Sequence, residues 1–381
     1  MSCSFHDSGL AIVNSTGEIV FAEGTERYQQ SKRAIQSPPD DVNRIHRLIK
    51  KYCEPGAEIV LAQTWSKQYR IMPMVQALDA INAGELDPIP PPVAAALRAR
   101  GIDLGALDSD GTRYLINWMR WLVSANVLAC EVSGIHARYR LVEASPQFAG
   151  RVIERTYNHH LTHASVACHS SPFDEAVCAV LDGSGERASN AFFHYKGGVV
   201  TELHGASVGP GSLGFFYWHL CWACGFDPLA GEEWKVMGLA PYGKLNQEIL
   251  DETQFSQLHV FSAPADDGNA VGAALLAYQE DHPPAAPPAQ LQSPYLGEVM
   301  SPETLGSLTS LGGLENRLPP GRSVASYAAE LLSQGKIPLL LNTSFNVMGK
   351  PIIHSVEDAL AVFFTSGLDV LVLEDMVILK S

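Results

Sequence analysis

The sequence predicts an α/β fold on three observations: a β-hairpin pattern at residues 9–22, a strand, glycine turn and strand pattern at residues 176–195, and helical periodicity between and after them. Residues 9–22 (GLAIVNSTGEIVFA) place aliphatic and β-branched residues on both sides of an Asn-Ser-Thr-Gly turn, so two short strands are expected. Apolar residues recur at helical spacing from 41 to about 52 and from 93 to about 141. Pro88, Pro90, Pro91, Pro92 and a loop at 101–111 interrupt them, which predicts a helical insertion at about 41–150. The run Ala176–Leu181 reads as a buried strand ending at Asp182-Gly183-Ser184-Gly185, with residues 191–195 as its partner.

Residues 281–290 hold four prolines in ten positions, which suits neither a helix nor a central strand. A linker is expected at 281–292, dividing a first domain of residues 1–280 from a small α/β unit of residues 293–381. In that unit the pattern predicts helices at 323–332 and 356–365 and strands at 337–341, 370–373 and 376–379.

Composition narrows the function classes. Of 381 residues, 46% are hydrophobic and 18% charged, with 26 Lys and Arg against 41 Asp and Glu, a net charge of −15. That is an ordinary globular profile, and the excess of acid argues against wrapping a nucleic-acid backbone. No apolar run is long enough to span a bilayer, and residues 1–7 lack a basic region followed by an apolar one, so a cytoplasmic protein without a membrane partner is expected. The seven cysteines are scattered, which predicts reduced, packed thiols; Cys221 and Cys224 have the C-x-x-C spacing, but their aromatic neighbourhood favours packing over zinc.

The sharpest local signal is Asn158-His159-His160-Leu161-Thr162-His163. His159 and His163 stand four apart, which on a helix puts both imidazoles on one face, close enough to share a metal ion. The spacing alone leaves open a polar helix end with hydrogen-bonded histidines, so a carboxylate must decide. Asp182 at a strand end and Asp266 before a small-residue helix are the candidates, though a turn residue and a helix cap are their ordinary readings. Two histidines with one or two aspartates suit Fe(II) or Zn(II).

Acidic and small residues set beside hairpins resemble the architecture of actin, sugar kinases and heat-shock ATPases (ASKHA), where such turns meet nucleotide phosphates. Five collinear blocks carry a more specific resemblance, to the NodU/CmcH carbamoyltransferases, whose first domain is TsaD-like. They are His6-Asp7-Ser8-Gly9 with Glu26-Arg27-Tyr28; HHLTHA at 159–164; Phe173-Asp174-Glu175-Ala176 with LDGSGE at 181–186; LGFFY at 213–217 with Gly225-Phe226 and GEEWKVMGLAPYG at 231–243; and LLNTSFNVMGKPI at 340–352 with Glu357-Asp358-Ala359.

The resemblance implies an ASKHA domain holding a metal and a nucleotide, followed by a YrdC-like domain. In that family the second domain makes carbamoyl-adenylate from carbamoyl phosphate and ATP, and the first moves the carbamoyl group to an acceptor hydroxyl, usually on a natural product. By position it implies His159, His163, Asp182 and Asp266 as metal ligands and the Gly183, Ser184, Gly185 turn as a phosphate contact. Ser344 is a further candidate contact for a carbamoyl or phosphate group, set against an ordinary tight loop. Among catalytic candidates, His160 has the pKa range of a general base, Lys235 suits a phosphate or carboxylate, and Asp7 opens the first hairpin. Each also has an ordinary structural reading, as a supporting histidine, a solvated lysine and a turn residue.

The chain departs from that family at two places. Only residues 244–262 stand where the family has a long helical segment and the strand-turn AGGVALN, and no GRMEFGPRALGNRS block follows Gly297, after which Arg317 and Arg322 are the only arginines. Phosphate chemistry needs fixed cationic or backbone N–H donors. The expectation is therefore a shortened, metal-dependent carbamoyltransferase for a small-molecule acceptor in natural-product or antibiotic biosynthesis. Its C-terminal unit is a truncated remnant, and carbamoyl-adenylate would come from a separate donor-activating enzyme rather than from ATP bound here. The alternatives are a different transfer, condensation or cyclisation reaction without ATP, and a non-catalytic partner of a full-length homologue.

Overall fold

A computed structural model describes residues 1–66, 124–142, 152–203 except 187, 212–239 except 229, 255–282, 296–297, 344–347, 349–373 and 376–380, with single positions between 83 and 121. The chain divides into two compact units, residues 1–26 with 33–296, and residues 27–32 with 297–381. The expected helix at 323–332 and strand at 337–341 lie outside the described residues, as does most of the 93–141 block.

In the first unit, β1 (Gly9–Val13) and β2 (Ile19–Gly24) form the antiparallel hairpin that the sequence predicts. Its turn is held by Asn14, whose side-chain oxygen accepts from the Thr16 and Glu18 amides at 3.0 Å each. A short helix α1 (Thr25–Gln29) follows, then α2 (Val42–Tyr52), capped by Asp41 accepting from the Asn43 and Arg44 amides. Strand β3 (Ile59–Thr64), helix α3 (Ile135–Val142) and strand β4 (Val152–Tyr157) come next; β3 and β4 pair in parallel, Ile59 with Val152 through Thr64 with Tyr157. Residues 1 and 2 tie hairpin to ladder: the Ser2 amide donates to the Gly9 carbonyl at 2.9 Å and the Thr64 amide to the Met1 carbonyl at 3.2 Å. Leu10, Phe21, Leu48, Cys130 and Leu141 are buried together where these elements meet.

Helix α4 (His159–Ser170) starts two residues after β4 and is capped by Asn158, which accepts from the Leu161 amide at 3.0 Å. The strands β5 (Glu175–Leu181), β6 (Asn190–Lys196) and β7 (Val199–Glu202) make an antiparallel sheet. One face of β5 packs on α4 through Val180 and Ala164. The run read as a fully buried strand is in fact half open, because no described element covers the other face, where Val177 and Leu181 stand 46% and 52% exposed. Helices α5 (Leu213–Ala223) and α6 (Glu233–Met237) follow, and then α7 (Asn269–Asp281). Helix α7 packs on α4, β1 and β3. A Cβ on Gly272 would sit 1.9 Å from the Thr162 carbonyl oxygen, so α4 and α7 touch backbone to backbone.

In the second unit, α8 (Val356–Thr365) is capped by Ser355, which accepts from the Asp358 amide at 3.1 Å. It packs through Ala359 and Phe363 on the hairpin of β8 (Val370–Leu373) and β9 (Met376–Leu379). Residues 27–32 join this unit, the Gln30 side-chain amide donating to the Ile352 carbonyl at 3.0 Å. All seven cysteines are free thiols; Cys221 is buried in α5 and Cys224 exposed at its end. Among the described residues no helix is long and apolar enough to cross a membrane.

Candidate metal and transfer site

Three parts of the first unit converge on one pocket. The first two turns of α4 supply His159, His160 and His163, the residue just after β5 is Asp182, and the turn before α7 supplies Asp266. That last turn lies on the first hairpin at its closest point. Gly9 and Gly24 face each other across β1 and β2, and a Cβ on either would lie 2.4 Å from the Asp267 carbonyl oxygen or 2.9 Å from its carboxylate. Side chains there would push Asp266 out of place.

The donors are close. His159 Nε2 is 3.1 Å from Asp182 Oδ2 and 3.5 Å from Asp266 Oδ1, His163 Nε2 is 3.2 Å from Asp266 Oδ1, and His160 Nε2 is 3.3 Å from Asp182 Oδ2. One ligand atom each from His159, His163 and Asp266 lie within 4.8 Å of one another. Separations of about 3 to 3.5 Å are those of donors that share an ion at bond lengths of about 2 Å. The donor set, two imidazoles with carboxylate oxygens, is the one that iron and zinc accept, so the residues fit such a group. Asp182 Oδ2 stands between His159 and His160 rather than within the tight trio.

Charge follows the geometry. Burial pushes the Asp182 carboxyl up, but hydrogen bonds from His159 and His160 and the charges of His159 and His163 overcome it and hold it well below the ordinary range. Burial also pushes Asp266 up, and the His159 charge, the His163 hydrogen bond and the His6 charge bring it down to about 2. Burial pulls His159 down, yet Asp266 and Asp182 leave it raised above its ordinary value. Both carboxylates are therefore anionic and available as ligands.

Around this cluster the fold sets supports that the sequence did not announce. Glu186, buried, accepts from the Ser66 amide at 2.7 Å and the His159 amide at 3.1 Å, and the Ser66 hydroxyl donates to its other oxygen. It thereby joins the end of β3 to the start of α4. Trp65 stacks on His159, and Thr64 Oγ1 and Asn269 Nδ2 each lie 3.4 Å from His159 Nδ1. Their only sequence signals were the last letter of DGSGE and the first residue of the small-residue helix.

The Asp182-Gly183-Ser184-Gly185 turn is closed by the Asp182 amide donating to the Ser189 carbonyl and the Gly185 amide to the Ala188 carbonyl. Gly185 backs onto His160, where a Cβ would meet Nε2 at 2.4 Å, and Gly214 at the start of α5 backs onto the Gly183 amide. Ser184 is exposed. Asp7 has a left-handed backbone, φ 52°, as does Arg33, φ 60°. The Asp7 carboxylate accepts from His6 Nδ1 at 2.8 Å and Arg33 Nε at 3.3 Å, and Arg33 also donates to the Pro228 carbonyl and Glu233. Lys235, by contrast, pairs with Glu232 and lies over the Phe226 and Trp234 rings. Ser344 belongs to the second unit, exposed, its hydroxyl donating to Asn346 at 2.7 Å.

Two family comparisons match in chain order: residues 147–254 match the carbamoyltransferase N-terminus and residues 324–380 the carbamoyltransferase C-terminus. Curated relatives include the uncharacterized protein sll1178 of Synechocystis, 42% identical over 89 residues, or 23% of this chain and 14% of the relative. The nodulation protein NolNO of Sinorhizobium fredii is 36% identical over 88 residues, again 23% of this chain and 12% of the relative. The nodulation protein NolO of Bradyrhizobium diazoefficiens is 38% identical over 89 residues, 23% of this chain and 15% of the relative. The matched stretch thus spans only a small part of each relative. Both matches fall in family order, and the histidines and Asp182 lie inside the N-terminal one, so these stretches of the chain are similar to the N- and C-terminal domains of carbamoyltransferases.

Proposed function

We propose that the chain transfers a carbamoyl group from an activated donor to a hydroxyl of a small-molecule acceptor, in an ASKHA-type first domain with a divalent metal ion, Fe(II) or Zn(II), held by His159, His163, Asp266 and Asp182. The observation that carries the reading is the convergence of His159 Nε2, His163 Nε2 and Asp266 Oδ1 within 4.8 Å. The ion would supply Lewis-acid stabilisation of negative charge on the donor's leaving group.

The chain's own residues supply the rest. In the transfer, the acceptor oxygen forms a bond to the carbamoyl carbon, the bond from that carbon to the leaving phosphate oxygen breaks, and the acceptor proton needs a base. His160, the candidate from sequence, points Nε2 at Asp182. His6 is the better placed base: its Nδ1 donates to Asp7, which leaves the lone pair on Nε2, and Asp7 is steadied by Arg33. The charge of Asp266 reaches His6, so the base and the metal ligands belong to one electrostatic unit. In the Gly183 to Gly185 turn the Gly183 amide donates to the Asp182 carboxylate and the Gly185 amide to the Ala188 carbonyl, so the Ser184 amide is the candidate donor for a phosphate oxygen. Lys235, paired with Glu232, is left a supporting role. Because the blocks that supply adenylation are absent from the sequence, the donor, carbamoyl-adenylate, is best supplied by a separate activating enzyme. Two relatives named as nodulation proteins support a biosynthetic setting.

The test is pyrophosphate release from ATP by purified protein loaded with Fe(II) or Zn(II), with and without carbamoyl phosphate, beside metal content and calorimetric ATP binding. Metal bound with no turnover supports the externally supplied donor, whereas carbamoyl-phosphate-dependent pyrophosphate release shows that the chain activates its own. Unchanged metal content in His163→Ala overturns the metal centre.

A further inference from the structure

We propose that Asn269, assisted by Thr64, orients His159 as a metal ligand, with the Asn269 side-chain oxygen accepting from His159 Nδ1–H so that Nε2 is the nitrogen given to an ion shared with the carboxylates. The inference rests on the metal-site reading above and adds to it a positioning residue for one ligand.

His159 is 1% exposed, so its ring nitrogens meet only what the fold places beside them. Nε2 faces Asp182 and Asp266, as described. On the opposite edge, Nδ1 meets two side chains, Thr64 Oγ1 from β3 and the Asn269 amide from the first residue of α7, each at 3.4 Å. Asn269 is fully buried, and its Oδ1 has no hydrogen-bond partner among the described residues. A buried amide oxygen left unpaired is costly, and the remedy lies in the same side chain. The two ends of an amide are nearly equal in size, so half a turn about its last torsion puts Oδ1 where Nδ2 stands and gives Nδ1–H an acceptor.

The direction of that hydrogen bond decides what His159 can do. If the amide nitrogen donates to Nδ1, the ring proton lies on Nε2, which then has no lone pair for a cation. If the amide oxygen accepts, the proton lies on Nδ1 and Nε2 is the ligand. Thr64 supports either arrangement, because a hydroxyl both donates and accepts. A ligating histidine whose second nitrogen is held in this way has its orientation fixed and its basicity raised. Trp65, stacked on the ring, blocks rotation out of the plane that Nδ1 and Nε2 define. Asn269 also begins the helix that follows Asp266, so one turn of chain provides both a ligand and the group that orients another ligand.

The experiment uses the full chain and Zn(II). Affinity is measured by competition with a chromophoric chelator for wild type, Asn269→Leu, Asn269→Asp and Thr64→Val. In parallel, ring-nitrogen NMR of the zinc-loaded ¹⁵N-histidine protein reports which His159 nitrogen binds the ion and whether Nδ1 carries a proton, assigned with His159→Gln. Asn269→Leu is expected to weaken Zn(II) by about 10- to 100-fold and to shift His159 away from the Nδ1–H pattern. Asn269→Asp, which only accepts, is expected to keep that pattern and bind at least as tightly as wild type. A folded Asn269→Leu with wild-type affinity and an unchanged tautomer overturns the proposal; should that variant not fold, loss of the Nδ1–H pattern in Asn269→Asp overturns it instead. If wild type itself binds no zinc, the metal reading fails and the positioning role fails with it, whereas zinc binding that Asn269→Leu leaves unchanged overturns the positioning role alone.

Discussion

Trp65 lies flat on His159, ring centroids 4.5 Å apart and planes 21° from parallel. Its indole Nε1 is buried with no hydrogen-bond partner among the described residues, and the ring's described contact is the stacking on His159. Its emission should therefore report the state of His159. Zn(II) titration is expected to change tryptophan fluorescence, and Trp65→Phe to remove most of that change while zinc still binds. Trp65→Ala should cost about 3 kcal/mol in urea unfolding, the low end for a large aromatic because the ring is only partly buried.

Gly272 gives a second prediction. A methyl group there collides with the Thr162 carbonyl, a backbone atom between His159 and His163 that cannot swing aside. Gly272→Ala should lower stability by about 1 to 3 kcal/mol despite the better helix propensity of alanine. By separating α4 from α7 it should also weaken zinc binding, whereas Gly272→Ser, carrying the same Cβ, should do no better. Urea unfolding and chelator competition on the same samples check both.

Glu186 is expected to matter as an acceptor of three hydrogen bonds, two from backbone amides. Glu186→Gln keeps the shape and one oxygen for both amides, but it removes the charge and sets an NH2 where the Ser66 hydroxyl now donates, at a cost of about 1 to 3 kcal/mol. Glu186→Asp should retain more stability, since it keeps the charge at the start of α4. Thermal unfolding of the two variants distinguishes charge from shape.

His169, later on α4, sets a pH dependence away from the metal cluster. Burial lowers its pKa, against raising contributions from the Gly198 and Ser165 carbonyls. The folded form therefore stays neutral while the unfolded chain takes up a proton, so stability is lost as pH falls from about 6.5 toward the folded value. His169→Gln should remove that part of the slope, seen as a smaller stability difference between about pH 7 and pH 5 in urea unfolding.

How legible this was in the sequence depended on range. The first hairpin, α2, α8 and the closing strands were visible because their signals are local: the turn at Asn14, the cap at Asp41 and the cap at Ser355 lie within a few residues of what they organise. The shared face of His159 and His163 was legible for the same reason. Strands β3, β4 and β7 were not anticipated. Two of them pair in parallel across a long interval, and β4 carries Glu154, Arg155 and Thr156, so neither gives a hairpin signal. The supports of the site were invisible because they span the chain: Glu186 reaches back 120 residues to Ser66.

The parallel ladder of β3 and β4 has one more consequence, for the order in which the molecule assembles. Thr64 meets His159 across 95 residues and Asn269 meets it across 110. The surroundings of His159 thus exist only after two long loop closures, each an entropic barrier to be crossed before the contacts beyond it form. Local hairpins and helices need neither closure, so the pocket is expected to become native after them, and slow protection of the His159 amide in pulse-labelled refolding checks that order.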